Sequence, residues 1–298
     1  MQRQNQLTLW WLAIRPKTLP AAVAPIAVGA ATAFYDDVFA ALPVVAALIA
    51  ALVLQVGVNL ANDYFDAQND IDSGTRLGPV RVTQSGLIPP ARVKGMMIGC
   101  LVVAAAVFGY LTSVGGVVLF WVGVASLLGT LGYSGGPYPL ASHGLGELFV
   151  FIFFGLVAVG GTYWAQAVTI TPLVVAASFP PGLLITAIMV VNNLRDRGSD
   201  ALAGKNTLAV RLGEKRTIGF YRSLLAGSYL VVVLLAALAY GWPVLLPLAV
   251  TPLARALWRE IGRARGPELN DTLAQTARFA LFFSFLLAFG IFLCRSSG

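Results

Sequence analysis

The sequence predicts an all-α integral membrane protein with about nine transmembrane helices around a central cavity. Of its 298 residues, 58% are hydrophobic and only 11% are charged, whereas a soluble globular domain has about 25% charged residues. The mean hydropathy is +0.79. A chain of this composition needs lipid as its solvent, and we expect residues 1–298 to form a single membrane domain.

Apolar stretches of roughly 18 to 25 residues, the length that crosses a bilayer core, recur along the chain. Short polar or charged connections separate them. The expected helices are Leu19–Tyr35, Leu42–Leu60, Gly95–Thr112, Gly116–Tyr133, Gly146–Ala165, Pro172–Val191, Ile218–Tyr240, Pro243–Trp258 and Phe279–Cys294.

Lysine and arginine residues cluster in alternate connections, which indicates the orientation, because positive charge marks the cytoplasmic side. The residues that mark this side are Arg3, Arg15, Lys17, Arg76, Arg81, Arg92, Lys94, Arg195, Arg197, Lys205, Arg211, Lys215, Arg216, Arg222, Arg255, Arg259, Arg263, Arg265 and Arg278. Only Arg295 lies on the opposite side. We expect a protein of the cell or inner membrane with a cytoplasmic N-terminus and an external C-terminus. The net charge of +7 reflects this topology, so nucleic acid is not an expected partner.

Two cytoplasmic connections, roughly Ala61–Lys94 and Asn192–Thr217, are long, and each begins with asparagine and aspartate residues. Long connections in a compact protein are usually functional. In the first, Asn62, Asp66 and Asp70 follow at intervals of four, and Asp63 adjoins them. Residues four apart share one face of a helix, so this motif predicts a polar stripe.

The second connection repeats the same spacing with Asn192, Asp196 and Asp200. Carboxylates at the edge of a membrane span are costly and are functional candidates by default. Several of them around one cavity would repel each other, and a divalent cation relieves that repulsion. Mg²⁺ prefers oxygen ligands and is commonly shared between carboxylates and substrate phosphates. The two stripes therefore predict a diphosphate bound through Mg²⁺.

Basic residues follow both acidic stripes and fit the same ligand. Arg76 and Arg81 come after the first stripe, and Lys205 comes after the second. Cations beside a diphosphate stabilise the negative charge that develops as it leaves. We expect Arg76 and Arg81 to bind phosphate oxygens and Lys205 to act in the reaction itself.

For other polar residues near the cytoplasmic side, a role in the site and a structural role are both considered. Tyr133 and Tyr138 are candidates for facing an allylic cation, although tyrosines are also common at membrane interfaces. The single histidine, His143, is more typical of a loop residue than of a catalyst. Glu147 begins the fifth span, where the helix dipole favours an acidic residue, and this role is favoured over a role in the site.

With these residues in place, the chain resembles the UbiA superfamily of intramembrane aromatic prenyltransferases. Its two motifs, Asn-Asp-x-x-Asp-x-x-x-Asp and Asp-x-x-x-Asp, are matched by Asn62, Asp63, Asp66, Asp70, Asp196 and Asp200. Longer strings resemble the branch that prenylates 1,4-dihydroxy-2-naphthoate in menaquinone synthesis: Arg15-Pro-Lys-Thr-Leu-Pro20, Asn59-Leu-Ala-Asn-Asp-Tyr64, Gly78-Pro-Val-Arg81, Asn192-Asn-Leu-Arg-Asp196 and Gly204-Lys-Asn-Thr-Leu-Ala-Val-Arg-Leu-Gly213.

The resemblance implies a Mg²⁺-dependent enzyme that transfers a polyprenyl chain from its diphosphate to this aromatic acceptor, with loss of CO₂. Asp66, Asp70, Asp196 and Asp200, supported by Asn62 and Asn192, would hold the metal, and Asn62, Asp63 and Asn192 would also contact the substrate. The prenyl chain would lie in an apolar groove that opens to the lipid bilayer. Two alternatives stay open. One is an enzyme of the same fold with another acceptor, such as 4-hydroxybenzoate, and the other is a divalent-cation transporter.

Overall fold

In a computed structural model, residues 5–68, 78 and 80–295 are described, and over this part the chain forms helices and turns without any strand. The α-helices are α1 Gln6–Ile14, α2 Pro20–Tyr35, α3 Ala41–Gln68, α4 Pro90–Gly132, α5 Gly146–Val150, α6 Ala158–Ala167, α7 Pro172–Leu202, α8 Leu208–Leu235, α9 Thr251–Glu260 and α10 Leu269–Arg295. Short 3₁₀ or π-helical segments complete them at Pro16–Thr18, Leu140–His143, Phe151–Val157, Ala236–Tyr240, Trp242–Val250 and Gly266–Glu268.

Several of these helices are long and apolar enough to cross a bilayer, which confirms the predicted all-α membrane architecture. Six segments in the described part of the chain meet that test: Ala41–Gln68, Pro90–Gly132, Gly146–Ala167, Pro172–Leu202, Leu208–Leu238 and Gly266–Arg295. The pair Gln6–Thr18 and Pro20–Tyr35, bent by 46°, gives a seventh if it forms one span.

The longest helix, α4, is broken at Gly116, whose φ of 68° and ψ of −160° are not helical. A straight helix of its 43 residues would measure about 65 Å, twice the thickness of a bilayer core. A Cβ atom built on Gly123 would come within 2.7 Å of the Phe108 ring, although these residues would lie about 22 Å apart along a straight helix. The two halves of α4 therefore fold back against each other.

The expected helix Pro243–Trp258 differs from the observed structure. Residues Trp242–Val250 form a 3₁₀ segment, and only Thr251–Glu260 is α-helical. Pro247 lies inside this segment and lacks the N–H group that an α-helix needs from its interior residues, which disfavours a regular α-helix here.

The second polar connection is shorter than expected, because α7 continues through Asn192, Asp196 and Asp200, which share one helix as their spacing predicted. Helix α7 continues to Leu202, ten residues beyond Asn192, and α8 begins at Leu208. Gly204 adopts a φ of +73° in the short turn between them, a conformation that glycine accommodates without strain. Likewise α3 continues through Asp66 to Gln68. The described residues of each acidic motif therefore extend a membrane helix at the same end of the molecule.

The largest apolar core lies among α2, α6, α7, α8 and α10. The Tyr221 hydroxyl shares a 2.8 Å hydrogen bond with the Thr276 hydroxyl inside this core, which joins α8 to α10. By contrast, large apolar side chains on α4 such as Trp121 and Leu128 point outwards and are exposed, as expected of a surface that faces lipid.

Candidate active site

The first acidic motif lies on the last turns of α3 and is tied to two other segments. The backbone carbonyl of Asn62 accepts a 2.8 Å hydrogen bond from Arg81 Nη1. Its side-chain carbonyl accepts a hydrogen bond from the Ser134 hydroxyl, beyond α4. Helix α3 ends at Gln68, and Asp70, the last predicted metal ligand of this motif, lies outside the described residues.

Asp63 is buried and binds the backbone of the segment that precedes α4. Its two carboxylate oxygens accept backbone N–H hydrogen bonds from Val82 at 3.0 Å and from Thr83 at 3.3 Å. This contact fixes the segment that carries Arg81 against α3. The structure thus gives Asp63 a clear role in positioning Arg81, and its predicted contact with substrate stays a prediction.

Asp66, one turn further along α3, is paired with two cations. One oxygen pairs with Arg81, and the other lies 3.4 Å from Lys205 Nζ. The Asp66 side chain is only 7% exposed and that of Lys205 only 15%. Since Lys205 follows the second motif, this contact brings the two acidic stripes together at one place. Arg76, the other predicted phosphate ligand, lies outside the described residues.

The second acidic motif lies on α7, one residue from an arginine that neutralises it. Arg195 donates to both carboxylate oxygens of Asp196, from Nε at 2.8 Å and from Nη2 at 2.6 Å. The same Nη2 donates to the side-chain carbonyl of Asn192 at 2.9 Å. Asp200 lies one turn further along, and its backbone carbonyl accepts the N–H of Lys205 at 2.8 Å.

Arg195 also links the second motif to the final helix. Its Nη1 donates to the side-chain carbonyl of Asn270 at 2.8 Å, at the start of α10. Sequence reasoning counted Arg195 only as a topological charge and did not single out Asn270. The position of Arg195 directly before Asp196 was an available signal, whereas Asn270, about 75 residues away, gave none.

The two predicted tyrosines lie in different environments. Tyr133 is buried, and its hydroxyl donates to the sulfur of Met189 at 3.3 Å. Tyr138 is 56% exposed, and its ring stacks on that of His143 with 3.6 Å between the centroids. Tyr133 therefore lies inside the protein beside the first motif, whereas Tyr138 lies at the outer rim.

The connection after α4 is fastened to the turn that carries Lys205. The N–H of Asn206 donates to the carbonyl of Ser142 at 2.8 Å, and Arg211 Nη2 donates to the carbonyl of His143 at 2.8 Å. These bonds hold the two connections side by side above the motifs.

Glu147 lies in the first turn of α5, as expected, but its surroundings differ from those of a surface helix start. It is only 4% exposed. Its Oε1 accepts a 2.8 Å hydrogen bond from Asn193, the neighbour of Asn192. Glu147 is therefore a buried acidic residue that contacts the second motif.

An apolar cavity begins below the polar residues. Val58, which lines it, is about 12 Å along α3 from Asp66, and Ala47, at its far end, is about 28 Å away. Along α3 the cavity therefore extends for about 17 Å, roughly half the thickness of a bilayer core. The lining residues are Ala22, Ile26, Ala47, Ala50, Ala51, Leu54, Gln55, Val58, Phe108, Leu111, Leu119, Val122, Ser126, Thr130, Phe149, Phe153, Phe154, Val157, Ala158, Gly161 and Thr162.

The donor set has the chemistry of a Mg²⁺ site, because it offers carboxylate and amide oxygens. Two of its acids are paired with cations, Asp66 with Arg81 and Lys205 and Asp196 with Arg195. No three acidic, histidine or cysteine side chains within the described ranges lie close enough together to hold a metal ion. Each of the two motifs thus combines a carboxylate with at least one cation, which suits an anion that arrives together with a metal.

The fold and the site define a class of protein. It is a helical membrane protein that has two acidic motifs, buried cations beside them and an apolar cavity below. The model of the UbiA prenyltransferase family matches residues 22–287, and the chain belongs to that family. It is 37% identical over 309 aligned residues to a protein of Escherichia coli (strain K12) named 1,4-dihydroxy-2-naphthoate octaprenyltransferase, with 99% of this chain and 98% of that protein covered. A protein of the same name from Mycobacterium tuberculosis is also 37% identical, over 286 residues, covering 94% of this chain and 97% of the relative.

Solved structures share the fold. A UbiA homologue from Aeropyrum pernix K1 in its apo form superposes with a TM-score of 0.68 at 14% identity, covering 94% of this chain and 98% of that one. A UbiA homologue from Archaeoglobus fulgidus bound to GPP and Mg²⁺ superposes with a TM-score of 0.65 at 16% identity, covering 96% and 99%.

Proposed function

We propose that this protein transfers a prenyl chain from a polyprenyl diphosphate to 1,4-dihydroxy-2-naphthoate, with release of diphosphate and CO₂. The observation that carries the proposal is the contact between Lys205 and Asp66, 3.4 Å apart, which joins the two acidic motifs above an apolar cavity. The acceptor is the one in the names of the relatives from Escherichia coli and Mycobacterium tuberculosis, which match this chain over nearly its full length.

Mg²⁺ would be held by Asp66, Asp70, Asp196 and Asp200, with Asn62 in support. The oxygen-rich donor set supports this assignment, as does the Archaeoglobus fulgidus homologue, which binds GPP and Mg²⁺. A divalent cation at such a site neutralises the diphosphate and weakens its bond to the allylic carbon.

The basic residues of the site would bind the same diphosphate from its other side. Arg81 and Lys205 already lie against Asp66, so they can turn towards phosphate oxygens once a metal neutralises that carboxylate. Arg76 is assigned the same role, and Asn192 and Asp63 position these groups. Buried cations act strongly on the charge of a leaving group because little water screens them.

The prenyl chain would extend from the polar site into the apolar cavity. A chain lying along α3 from Val58 to Ala47 replaces contacts with lipid by contacts with apolar side chains. Its reactive end would then lie near Tyr133, whose ring is 5.8 Å from that of the cavity residue Phe149. The electron-rich face of a tyrosine attracts a cation, and we assign this role to Tyr133. Tyr138, at the rim, would contact the acceptor as it enters.

The reaction follows from these positions. The allylic C–O bond breaks, and the electron pair leaves with the diphosphate towards Arg81 and Lys205. The ring carbon that bears the carboxyl group attacks the allylic cation, and the carboxyl group then leaves as CO₂. The apolar cavity excludes water, which would otherwise capture the cation.

We further propose nine membrane spans in a single domain of residues 1–298, with the N-terminus in the cytoplasm and the C-terminus outside. Two observations support nine: the two halves of α4 fold back at Gly116, and Trp242–Glu260 adds a further helical passage. The alternation of basic connections supports the orientation. Labelling of single cysteine substitutions in sealed vesicles tests this orientation. We expect a cysteine placed within residues 36–40 to react only with a reagent added on the outside.

The proposed function is tested with purified protein in lipid vesicles, Mg²⁺ and a series of polyprenyl diphosphates. With 1,4-dihydroxy-2-naphthoate we expect a product whose mass equals that of the acceptor carboxylate plus the prenyl group minus CO₂. Turnover of 4-hydroxybenzoate at the same rate as the naphthoate would favour the alternative that the enzyme has the same fold but uses another aromatic acceptor. Uptake of Mg²⁺ into vesicles without prenyl diphosphate would favour a transporter, although Arg81 and Lys205, which pair with Asp66, would repel a transported cation.

A further inference from the structure

Glu147 is a buried carboxylate that the proposed reaction does not yet use. Its side chain is 4% exposed, and its Oε1 accepts one hydrogen bond, from Asn193 at 2.8 Å. Its Oε2 is fully buried and has no hydrogen-bond partner among the described residues. A buried polar atom without a partner is rare in proteins and requires an explanation.

The surroundings of Glu147 place it between the two acidic motifs. Asn193, its partner, is adjacent to Asn192 of the second motif. On the other side, a Cβ atom built on Gly146 would lie 3.3 Å from the Tyr133 hydroxyl, so Tyr133 packs closely against the turn that carries Glu147. Residue Ser134, next to Tyr133, donates to Asn62 of the first motif.

The same turn also adjoins the apolar cavity. Phe149, two residues after Glu147, lines that cavity and packs against Tyr133 with 5.8 Å between the ring centroids. In the proposed binding mode, the reactive end of the prenyl chain lies near Tyr133. An acceptor ring that attacks this end would therefore lie within the same shell of residues.

Energetics argue against a purely structural role. A carboxylate with a single donor in an apolar region is costly as an anion, and an amide or an apolar residue would fill the space with less penalty. Ionisable residues within membrane spans are functional candidates for this reason. A carboxylate with one oxygen fixed and the other without a partner is well suited to accept a proton.

We propose that Glu147 is the proton acceptor for the ring hydroxyl of the aromatic acceptor during carbon–carbon bond formation. This inference rests on the proposed function and adds a catalytic residue outside both acidic motifs. The class of acceptor it requires is an aromatic ring whose hydroxyl is next to the carbon that is prenylated.

The atoms and electrons of the step balance as follows. The allylic C–O bond breaks, and the ring carbon that bears the carboxylate forms the new C–C bond. The adjacent hydroxyl gives its proton to Glu147 and becomes a carbonyl. The C–C bond to the carboxylate then breaks, CO₂ leaves, and the electron pair moves to the carbonyl oxygen. That oxygen takes the proton back from Glu147, which restores the hydroxyl and the carboxylate.

The variant Glu147→Gln tests this proposal, because glutamine retains the oxygen that accepts from Asn193 but cannot accept the proton. We expect transfer to 1,4-dihydroxy-2-naphthoate to fall about 100-fold or more, the usual contribution of a general base. The Mg²⁺-dependent ionisation of the prenyl diphosphate should persist, measured by exchange of an ¹⁸O label from the bridging position in the presence of a non-reacting acceptor analogue. The unfolding temperature in detergent should change little.

Two further measurements distinguish this role from packing. Asn193→Ala removes the hydrogen bond but keeps the carboxylate, and we expect a smaller loss of transfer than in Glu147→Gln. Acceptors whose hydroxyl is made more acidic by an electron-withdrawing substituent should lose less rate in Glu147→Gln. Transfer by Glu147→Gln at the wild-type rate, or an equal loss of label exchange and transfer, would overturn the proposal. Failure of the wild-type protein to prenylate the naphthoate would instead contradict the proposed function.

Discussion

The two acidic motifs have the same spacing in the sequence, but their central aspartates are neutralised in different ways. Asp66 is paired with two cations from other segments. Arg81 lies in the connection between α3 and α4, and Lys205 lies in the turn between α7 and α8. Asp196 is paired with its own neighbour, Arg195, which Asn270 in turn holds in place. Asp66 is thus neutralised by residues from two other segments, whereas Asp196 is neutralised by the residue that precedes it in the chain.

This difference predicts that changes at Asp66 affect both function and folding, while changes at Asp196 affect mainly function. A carboxylate removed from between two buried cations leaves both of them without compensation. A carboxylate removed from beside Arg195 leaves a guanidinium that retains the oxygens of Asn192 and Asn270 as acceptors.

The largest expected effect is that of Asp66→Ala compared with Asp196→Ala. Both variants should lose about 1000-fold in transfer, since each removes part of the electrostatic stabilisation of the leaving group. Asp66→Ala should also lower the free energy of unfolding by about 3–5 kcal/mol, because the charges of Arg81 and Lys205 remain buried. Thermal unfolding in detergent measures this difference, and equal destabilisation by both variants would break the comparison.

A smaller effect is expected for Lys205→Ala, which tests the link between the motifs. The variant should lose about 100-fold in transfer, mainly through weaker binding of the diphosphate as it leaves. Lys215→Ala, an exposed lysine on α8, serves as the matched control and should transfer at the wild-type rate. Equal activities of the two variants would show that Lys205 does not belong to the site.

The smallest of the three effects is expected for Asn270→Ala, which removes one acceptor of Arg195 at a distance from the substrate. Residues that orient ligands of a metal site typically contribute about 10-fold to metal affinity or activity. We expect a rise of that size in the Mg²⁺ concentration needed for half-maximal transfer, with partial recovery in Asn270→Asp, which retains an acceptor. An unchanged Mg²⁺ requirement in Asn270→Ala would show that α10 does not support the second motif.

The sequence predicted those parts of the fold and site that depend on local spacing. Asp66 and Asp196 were recognised because residues spaced four apart lie on the same face of a single helix. Interhelical partners have no such signature, so the contacts of Glu147 with Asn193 and of Arg195 with Asn270 became visible only in the structure. The start of α7 at Pro172 was predicted correctly, but its C-terminal end and the 3₁₀ segment at Trp242–Val250 were not. Polar residues can continue a helix, and a proline inside an apolar stretch can disturb its α-helical hydrogen bonds.

Binding of a non-ionising diphosphate tests most directly whether the two motifs form one site. The dissociation constant of farnesyl thiodiphosphate with Mg²⁺ would be measured for wild type, Asp66→Asn, Asp196→Asn and the double variant. Groups that act as one unit show strongly non-additive effects, so the double variant should bind little more weakly than the weaker single variant. Losses of binding free energy that add fully in the double variant would contradict a shared site.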